Sequence, residues 1–151
     1  MPSAKMNCFV DTNVLLYAQD PRLPEKRKRA VEWLDALADR SLAVISPQVM
    51  NEFAFNILKK FRHVDIDQLL GRLELMETFC QAPTTADTAM KGLLIHQRYK
   101  LSFFDAVLIA SAISAECGIF LSEDLSHHQT IGALRIVNPF LTAPQDLLQP
   151  D

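Results

Sequence analysis

The stretch Asn7-Cys8-Phe9-Val10-Asp11-Thr12-Asn13 decides how this chain is read. Asn7 to Val10 is a short apolar run that stops at an acid, the pattern of a first β-strand delivering Asp11 to its end. An acid directly after a buried strand, followed by Thr12 and Asn13 before more apolar residues, is seldom decorative in an α/β protein. In open sheets of that class, ligand sites gather at the carboxyl ends of the strands.

Outward from that stretch, β-type runs recur at Leu42 to Ile45, Phe79 to Ala82, Ile119 to Leu121 and Leu134 to Val137, the last closed by Asn138-Pro139. Helical patterns lie between them. Glu25 to Asp39 carries an apolar stripe of Ala30, Val31, Leu34, Leu37 and Ala38. Ser46-Pro47 opens a second helix, with serine at the N-cap and proline at the first helical position. Met50, Phe53, Ala54, Ile57, Leu58 and Phe61 follow at spacings of three and four. Asp65 caps a third helix with Ile66, Leu69, Leu70 and Leu73 inward, and Thr85 begins a fourth that runs to about Tyr99. Ser102 opens a fifth, Phe103 to Cys117, apolar on most sides and therefore packed on more than one. Strands alternating with helices give an α/β class with a largely parallel sheet.

The chain of 151 residues is long enough to bury a core without staples. No repeat, low-complexity tract or Gly/Ser linker divides it, so a single domain over 1–151 is expected. Nothing approaches the roughly 18 consecutive apolar residues of a membrane span. Met1 to Asn7 lacks the apolar core of a secretory signal, which makes a cytoplasmic location the expectation. Cys8, Cys80 and Cys117 are scattered without C-x-x-C spacing, which points to buried hydrophobes rather than a disulfide framework or zinc site. The net charge of −3 counts against a nucleic-acid partner at first. Its distribution softens that: residues 101–151 hold only Arg135 beside six acids, and carboxylates gathered around cations look acidic on paper alone.

Four acids carry the chemistry: Asp11, Glu52, Asp105 and Asp124. Asp11 ends the first strand, and Asp124 follows the Ile119 to Leu121 strand. Glu52 and Asp105 fall in the first two turns of helices, whose starts face the same sheet edge as the strand ends. The four are therefore expected to meet on one rim. Carboxylates so packed cannot all stay ionised without cations. Hard oxygen ligands suit magnesium or manganese, whereas zinc prefers His and Cys. Such ions activate water, orient a phosphodiester and stabilise the leaving oxygen. Each acid also has a plainer reading. Ser102-x-x-Asp105 is a capping pair, Asp124 is a turn residue in Ser-Glu-Asp-Leu, and Glu52 borders the exposed face of its helix.

These residues stand in segments that resemble the motifs of the PIN-domain nucleases, and specifically the VapC-type toxins of toxin–antitoxin pairs. Phe9-Val10-Asp11-Thr12-Asn13-Val14-Leu15 is similar to the first motif, and Ser46-Pro47-Gln48-Val49-Met50-Asn51-Glu52 to the second. Ser102-Phe103-Phe104-Asp105-Ala106 opens the third, and Leu121-Ser122-Glu123-Asp124 resembles the fourth. No single motif is specific; four in order are. The resemblance implies a five-stranded, mostly parallel sheet flanked by helices. It also implies a magnesium- or manganese-dependent endoribonuclease that uses metal-activated water, a cognate antitoxin as partner, and pairing as a homodimer. It puts Asp11, Glu52, Asp105 and Asp124 at the metal-ligand positions and Asn13 and Ser122 at auxiliary polar positions. One departure stands out: many members carry another acid just after the fourth motif, where this chain reads Leu125-Ser126-His127-His128. The histidines read as solvated loop residues ahead of phosphate contacts.

Two basic patches could hold RNA phosphates. Lys26-Arg27-Lys28-Arg29 sits at a helix start, where cations oppose the helix dipole, and such conflicts tend to mark functional surfaces. Lys26 and Arg29 are its candidate substrate contacts. Lys59-Lys60-Phe61-Arg62-His63 ends the Glu52 helix, where the dipole favours it. Rival readings are an aspartyl-phosphate enzyme, disfavoured because residues 101–151 contain no lysine, a stand-alone nuclease in RNA processing, and a non-catalytic RNA-binding module of the same fold.

Overall fold

A computed structural model describes residues 6–148; residues 1–5 and 149–151 of the span expected to form one domain lie outside the described residues. In chain order the elements are β1 (Cys8–Val10), α1 (Thr12–Tyr17), α2 (Pro24–Asp39), β2 (Ala43–Val44), α3 (Pro47–Lys60), α4 (Ile66–Glu77), α5 (Ala86–Tyr99), α6 (Phe103–Ser114), β3 (Ile119–Leu121), β4 (Thr130–Ile131), β5 (Leu134–Val137) and α7 (Pro144–Leu147). They form two compact units, one of Met1–Ala43 with Cys117–Asp151 and one of Val44–Glu116. None of the helices among the described residues is long and apolar enough to cross a membrane.

The sheet is five-stranded in the order β2-β1-β3-β5-β4, and β1, β3, β4 and β5 belong to the first unit. The class is α/β with a mixed, mostly parallel sheet: β1, β3 and β5 run parallel, and β4 returns antiparallel to β5. All residues of β1 and β3 are buried, as expected of parallel strands covered on both faces. Register is fixed by matching apolar triplets, Cys8 against Ile119, Phe9 against Phe120 and Val10 against Leu121. The Phe9 and Phe120 rings stack at 5.2 Å. This register sets Asp11 and Ser122 side by side one step beyond the paired ends. Asp11 N–H continues the ladder to Leu121 O at 3.0 Å, and Ser122 N–H to Val137 O at 3.0 Å.

The second unit holds α3 to α6. In α6 seven consecutive residues, Ala106 to Ala112, are buried, in keeping with its all-round apolar sequence, although the helix ends at Ser114 instead of Cys117. Gly92 of α5 admits this packing: a Cβ there would meet Val107 Cγ2 at 2.7 Å. Phe79 to Ala82 departs from expectation. It forms only an isolated bridge, Ile45 to Cys80, with Ile45 N–H donating to Phe79 O at 2.9 Å and Ala82 N–H to Ile45 O at 3.1 Å. The fifth strand is instead the two-residue β4.

Several residues read as inward are exposed. Phe53 and Ile57 of α3 and Leu69 of α4 are buried, whereas Leu58, Phe61, Ile66 and Leu70 are not. The pattern of threes and fours was real, but each helix buries a narrower stripe than its apolar positions would allow. Ser46 stands at the N-cap of α3 as read from sequence, yet its hydroxyl makes no capping bond. Ser102 does cap α6, accepting from Asp105 N–H at 3.2 Å.

Candidate active site

Asp11 follows β1 and doubles as the N-cap of α1, its Oδ1 accepting from Thr12 N–H at 2.7 Å. Its side chain is buried in consequence. The register of β1 and β3 brings Ser122 alongside, and the Ser122 hydroxyl donates to Asp11 Oδ2 at 2.7 Å. Asn13, the second residue of α1, points its amide back over the same edge. Its Nδ2 donates to Asp124 Oδ2 at 2.9 Å and lies 3.2 Å from Ser122 Oγ and 3.3 Å from Asp11 Oδ2. Asp124 is exposed, and its N–H donates to Ser122 Oγ at 3.2 Å. The sheet edge of the first unit thus joins two of the four predicted acids through both predicted auxiliary residues.

Glu52 and Asp105 belong to the second unit. Glu52 is half-buried in the second turn of α3, where its carbonyl accepts from Asn56 Nδ2 at 2.8 Å. Asp105 is half-buried at the third position of α6, where an acid suits the positive end of the helix dipole. Among the described residues no group of three or more His, Cys, Asp or Glu side chains gathers closely enough to hold an ion. The Asp11–Asp124 pair is all-oxygen in its charged donors, with a neutral amide and a hydroxyl beside it. That donor chemistry fits a hard divalent cation such as magnesium or manganese, and it does not fit zinc.

The basic stretch of α2 begins in its first turn, two residues after Pro24, at a helix end where Leu23 provides no side-chain cap. Lys26 answers its unfavourable place in the dipole by pairing with Glu123, the neighbour of Asp124. Its ammonium stands 4.7 Å from the ring centroids of both Tyr17 and Phe140, which meet edge to face at 5.1 Å. Burial pushes the Glu123 carboxyl up, but hydrogen bonds from Lys26 and Tyr17 and the lysine charge together hold it below its usual value. The hydrogen bond to Glu123, with burial, raises the Tyr17 phenol. Arg29 donates to Pro139 O at 3.3 Å and lies 3.6 Å from Glu32. A pocket of about 280 Å³ opens here, lined by Lys26, Lys28, Arg29, Glu32 and Phe140 with Glu25.

Sequence reasoning had not singled out Tyr17, Glu123 or Phe140. Only Glu123 carried a signal, its place inside the fourth motif. His127 and His128 are less loose than a solvated loop would make them. Their rings lie 3.6 Å apart, Asn138 N–H donates to His127 Nδ1 at 3.0 Å, and Arg135 Nη2 lies 2.9 Å from His128 Nδ1. Burial, with the neighbouring His128 and Arg135, lowers the pKa of His127.

Comparison with known proteins adds the following. The PIN domain family model matches residues 8–131. No curated protein matches. Among the solved structures that share the fold are the following three. A chain of a FitAB complex bound to an IR36 DNA fragment superposes with a TM-score of 0.64 at 19% identity, over 88% of this chain and 95% of that one. A chain of a toxin–antitoxin complex from Klebsiella pneumoniae gives 0.61 at 20% identity, over 88% and 98%. A chain of VapBC2 from Rickettsia felis, bound to a DNA fragment from their promoter, gives 0.61 at 15%, over 87% and 97%. At these identities the likeness is one of fold.

Proposed function

We propose that this chain, which belongs to the PIN-domain family, is a magnesium- or manganese-dependent endoribonuclease and the toxin of a VapBC-type toxin–antitoxin pair. Family membership supports a nuclease-type role. The observation that carries the finer reading is the joining of Asp11 and Asp124, at the ends of the paired strands, through Asn13 and Ser122.

Asp11 and Asp124 would hold the divalent ion, with Glu52 and Asp105 at the two remaining ligand positions of the motif set. When bound, the ion supplies Lewis-acid activation of the attacking water and offsets phosphate charge. The chain's own residues do the rest. Ser122 and Thr12 fix the Asp11 carboxylate by hydrogen bonds to its two oxygens, so its direction does not depend on the ion. Asn13 sets the spacing of Asp11 and Asp124, as residues behind metal ligands commonly do. Lys26 and Arg29 are the proposed phosphate contacts, Lys26 with an ammonium hydrogen beyond the one that pairs with Glu123.

A protein partner, whether antitoxin or second copy, is supported by the apolar side chains that α3 and α4 leave in solvent, among them Phe55, Leu58, Ile66 and Leu70. The fold is also that of chains solved in toxin–antitoxin complexes. The test is cleavage of a labelled structured RNA by the purified chain with magnesium or manganese. RNA binding without cleavage under either metal would favour the binding-module reading.

A further inference from the structure

Glu123 connects two neighbourhoods of the first unit. Its backbone N–H donates to Asn13 Oδ1 at 3.5 Å, on the acid side. Its carboxylate takes the Lys26 ammonium and the Tyr17 hydroxyl on the other side. Lys26 is itself seated on the Tyr17 and Phe140 rings, so the ion pair has a defined place instead of the loose geometry of most surface pairs. The turn that this clamp braces is Ser122-Glu123-Asp124. Its first residue is tied to the sheet, whereas its last is an exposed acid held by the Asn13 amide at its carboxylate and by the Ser122 hydroxyl at its N–H. An exposed carboxylate that must hold an ion loses rotamer freedom on binding, and bracing its turn beforehand reduces that cost.

We propose that Glu123 is a positioning residue: held by Lys26 and Tyr17, it sets the turn so that Asp124 presents its carboxylate beside Asp11. This rests on the reading that Asp11 and Asp124 hold a divalent ion, and it gives the α2 lysine a second duty besides phosphate contact.

The sign of one substitution separates positioning from simple charge. An ammonium near a cation site repels the ion, so removing Lys26 should tighten divalent binding if only its field matters. Positioning requires the opposite. Manganese is titrated calorimetrically into the full chain without RNA, and circular dichroism melts establish that each variant is folded. Wild type must bind manganese and Asp11→Asn must lose it; failure at this step is failure of the metal reading, not of the clamp. Given that baseline, Lys26→Gln is expected to bind manganese about tenfold more weakly, within the range usual for supporting residues. Lys26→Arg, which keeps the charge and the carboxylate pairing, is expected to return to within about threefold of wild type. Tyr17→Phe, a neutral and nearly isosteric change, should weaken binding roughly threefold, and it decides the matter should Lys26→Gln fail to fold. Binding by Lys26→Gln that is unchanged or tighter than wild type overturns the proposal.

Discussion

Asn13 Nδ2 lies 2.9 Å from Asp124 Oδ2, a hydrogen bond between residues 111 positions apart in the chain. The same amide reaches toward Asp11, so one neutral group sets the spacing of two like charges. Asn13→Ala removes that spacer without touching a carboxylate. Cleavage is expected to fall about 10- to 100-fold, the usual effect of losing a residue that orients metal ligands. The melting temperature should fall only slightly, because the shortest lost bond, to Asp124, is exposed and the part-buried ones to Ser122 and Asp11 are long at 3.2 and 3.3 Å. Rates at saturating manganese, set beside thermal melts, check both halves; undiminished cleavage would count against the role.

This half of the site was legible because it depends on local rules. A buried triplet ending in an acid occurs at β1, a second triplet ends next to Ser122, and parallel register does the rest. Lys26 was flagged by its conflict with the helix dipole, which its pairing with Glu123 explains. Tyr17 and Phe140 were not legible, since nothing in the sequence says that rings at the end of α1 and after β5 converge on a lysine of α2. Phe79 to Ala82 misled because apolar composition fits a strand while pairing needs a partner, and only Ile45 supplies one. Leu58, Ile66 and Leu70 misled for a related reason. Periodicity marks an apolar face, but it does not say whether that face meets its own core or another molecule.

The exposed apolar face yields its own prediction. If α3 and α4 cover a second copy of the chain, Leu58→Glu should shift the protein from dimer toward monomer, because a buried unpaired charge is costly at an interface. Light scattering coupled to gel filtration reads this directly. A wild-type chain that runs as a monomer across the micromolar range would contradict the homodimer.

Gly92→Ala tests the second unit by itself. An added methyl in a helix interior ordinarily gains up to about 1 kcal/mol. Here the Cβ would stand 3.0 Å from Val107 Cα as well as against Cγ2, and backbone cannot step aside cheaply. The expected net effect is destabilisation by about 1–3 kcal/mol, measured by urea denaturation. A stabilised variant would show that α5 and α6 separate more readily than their packing indicates.

Two buried thiols predict an alkaline loss of stability. Burial, with the Cys117 thiolate adding, pushes Cys8 up to about 12, and burial pushes Cys117 up to about 11. In the unfolded chain both ionise near 9, so above that pH the unfolded state sheds protons the folded state keeps. Stability should therefore be full below about pH 9 and fall as pH rises, by roughly 1.4 kcal/mol per unit for each thiol until its folded pKa is reached. Urea midpoints at pH 8 and pH 10 for wild type and the Cys8→Ala, Cys117→Ala double variant check this. Their difference should narrow at the higher pH, and a constant difference would contradict it.

If Asp11 and Asp124 hold a catalytic divalent ion, RNA cleavage must depend on added metal and on Asp11. Purified wild-type chain and Asp11→Asn are incubated with a labelled structured RNA in manganese, in magnesium and in excess EDTA. Asp11→Asn can still accept from Thr12 N–H, so the cap of α1 survives, but its NH2 replaces the oxygen that accepts from Ser122 and Asn13. A loss of about 1–3 kcal/mol is expected, and thermal melts establish that the variant is folded. Cleavage by wild type with either metal, its loss in EDTA and its loss in folded Asp11→Asn are the predicted results. Cleavage that persists unchanged in EDTA, or in Asp11→Asn, would contradict the account.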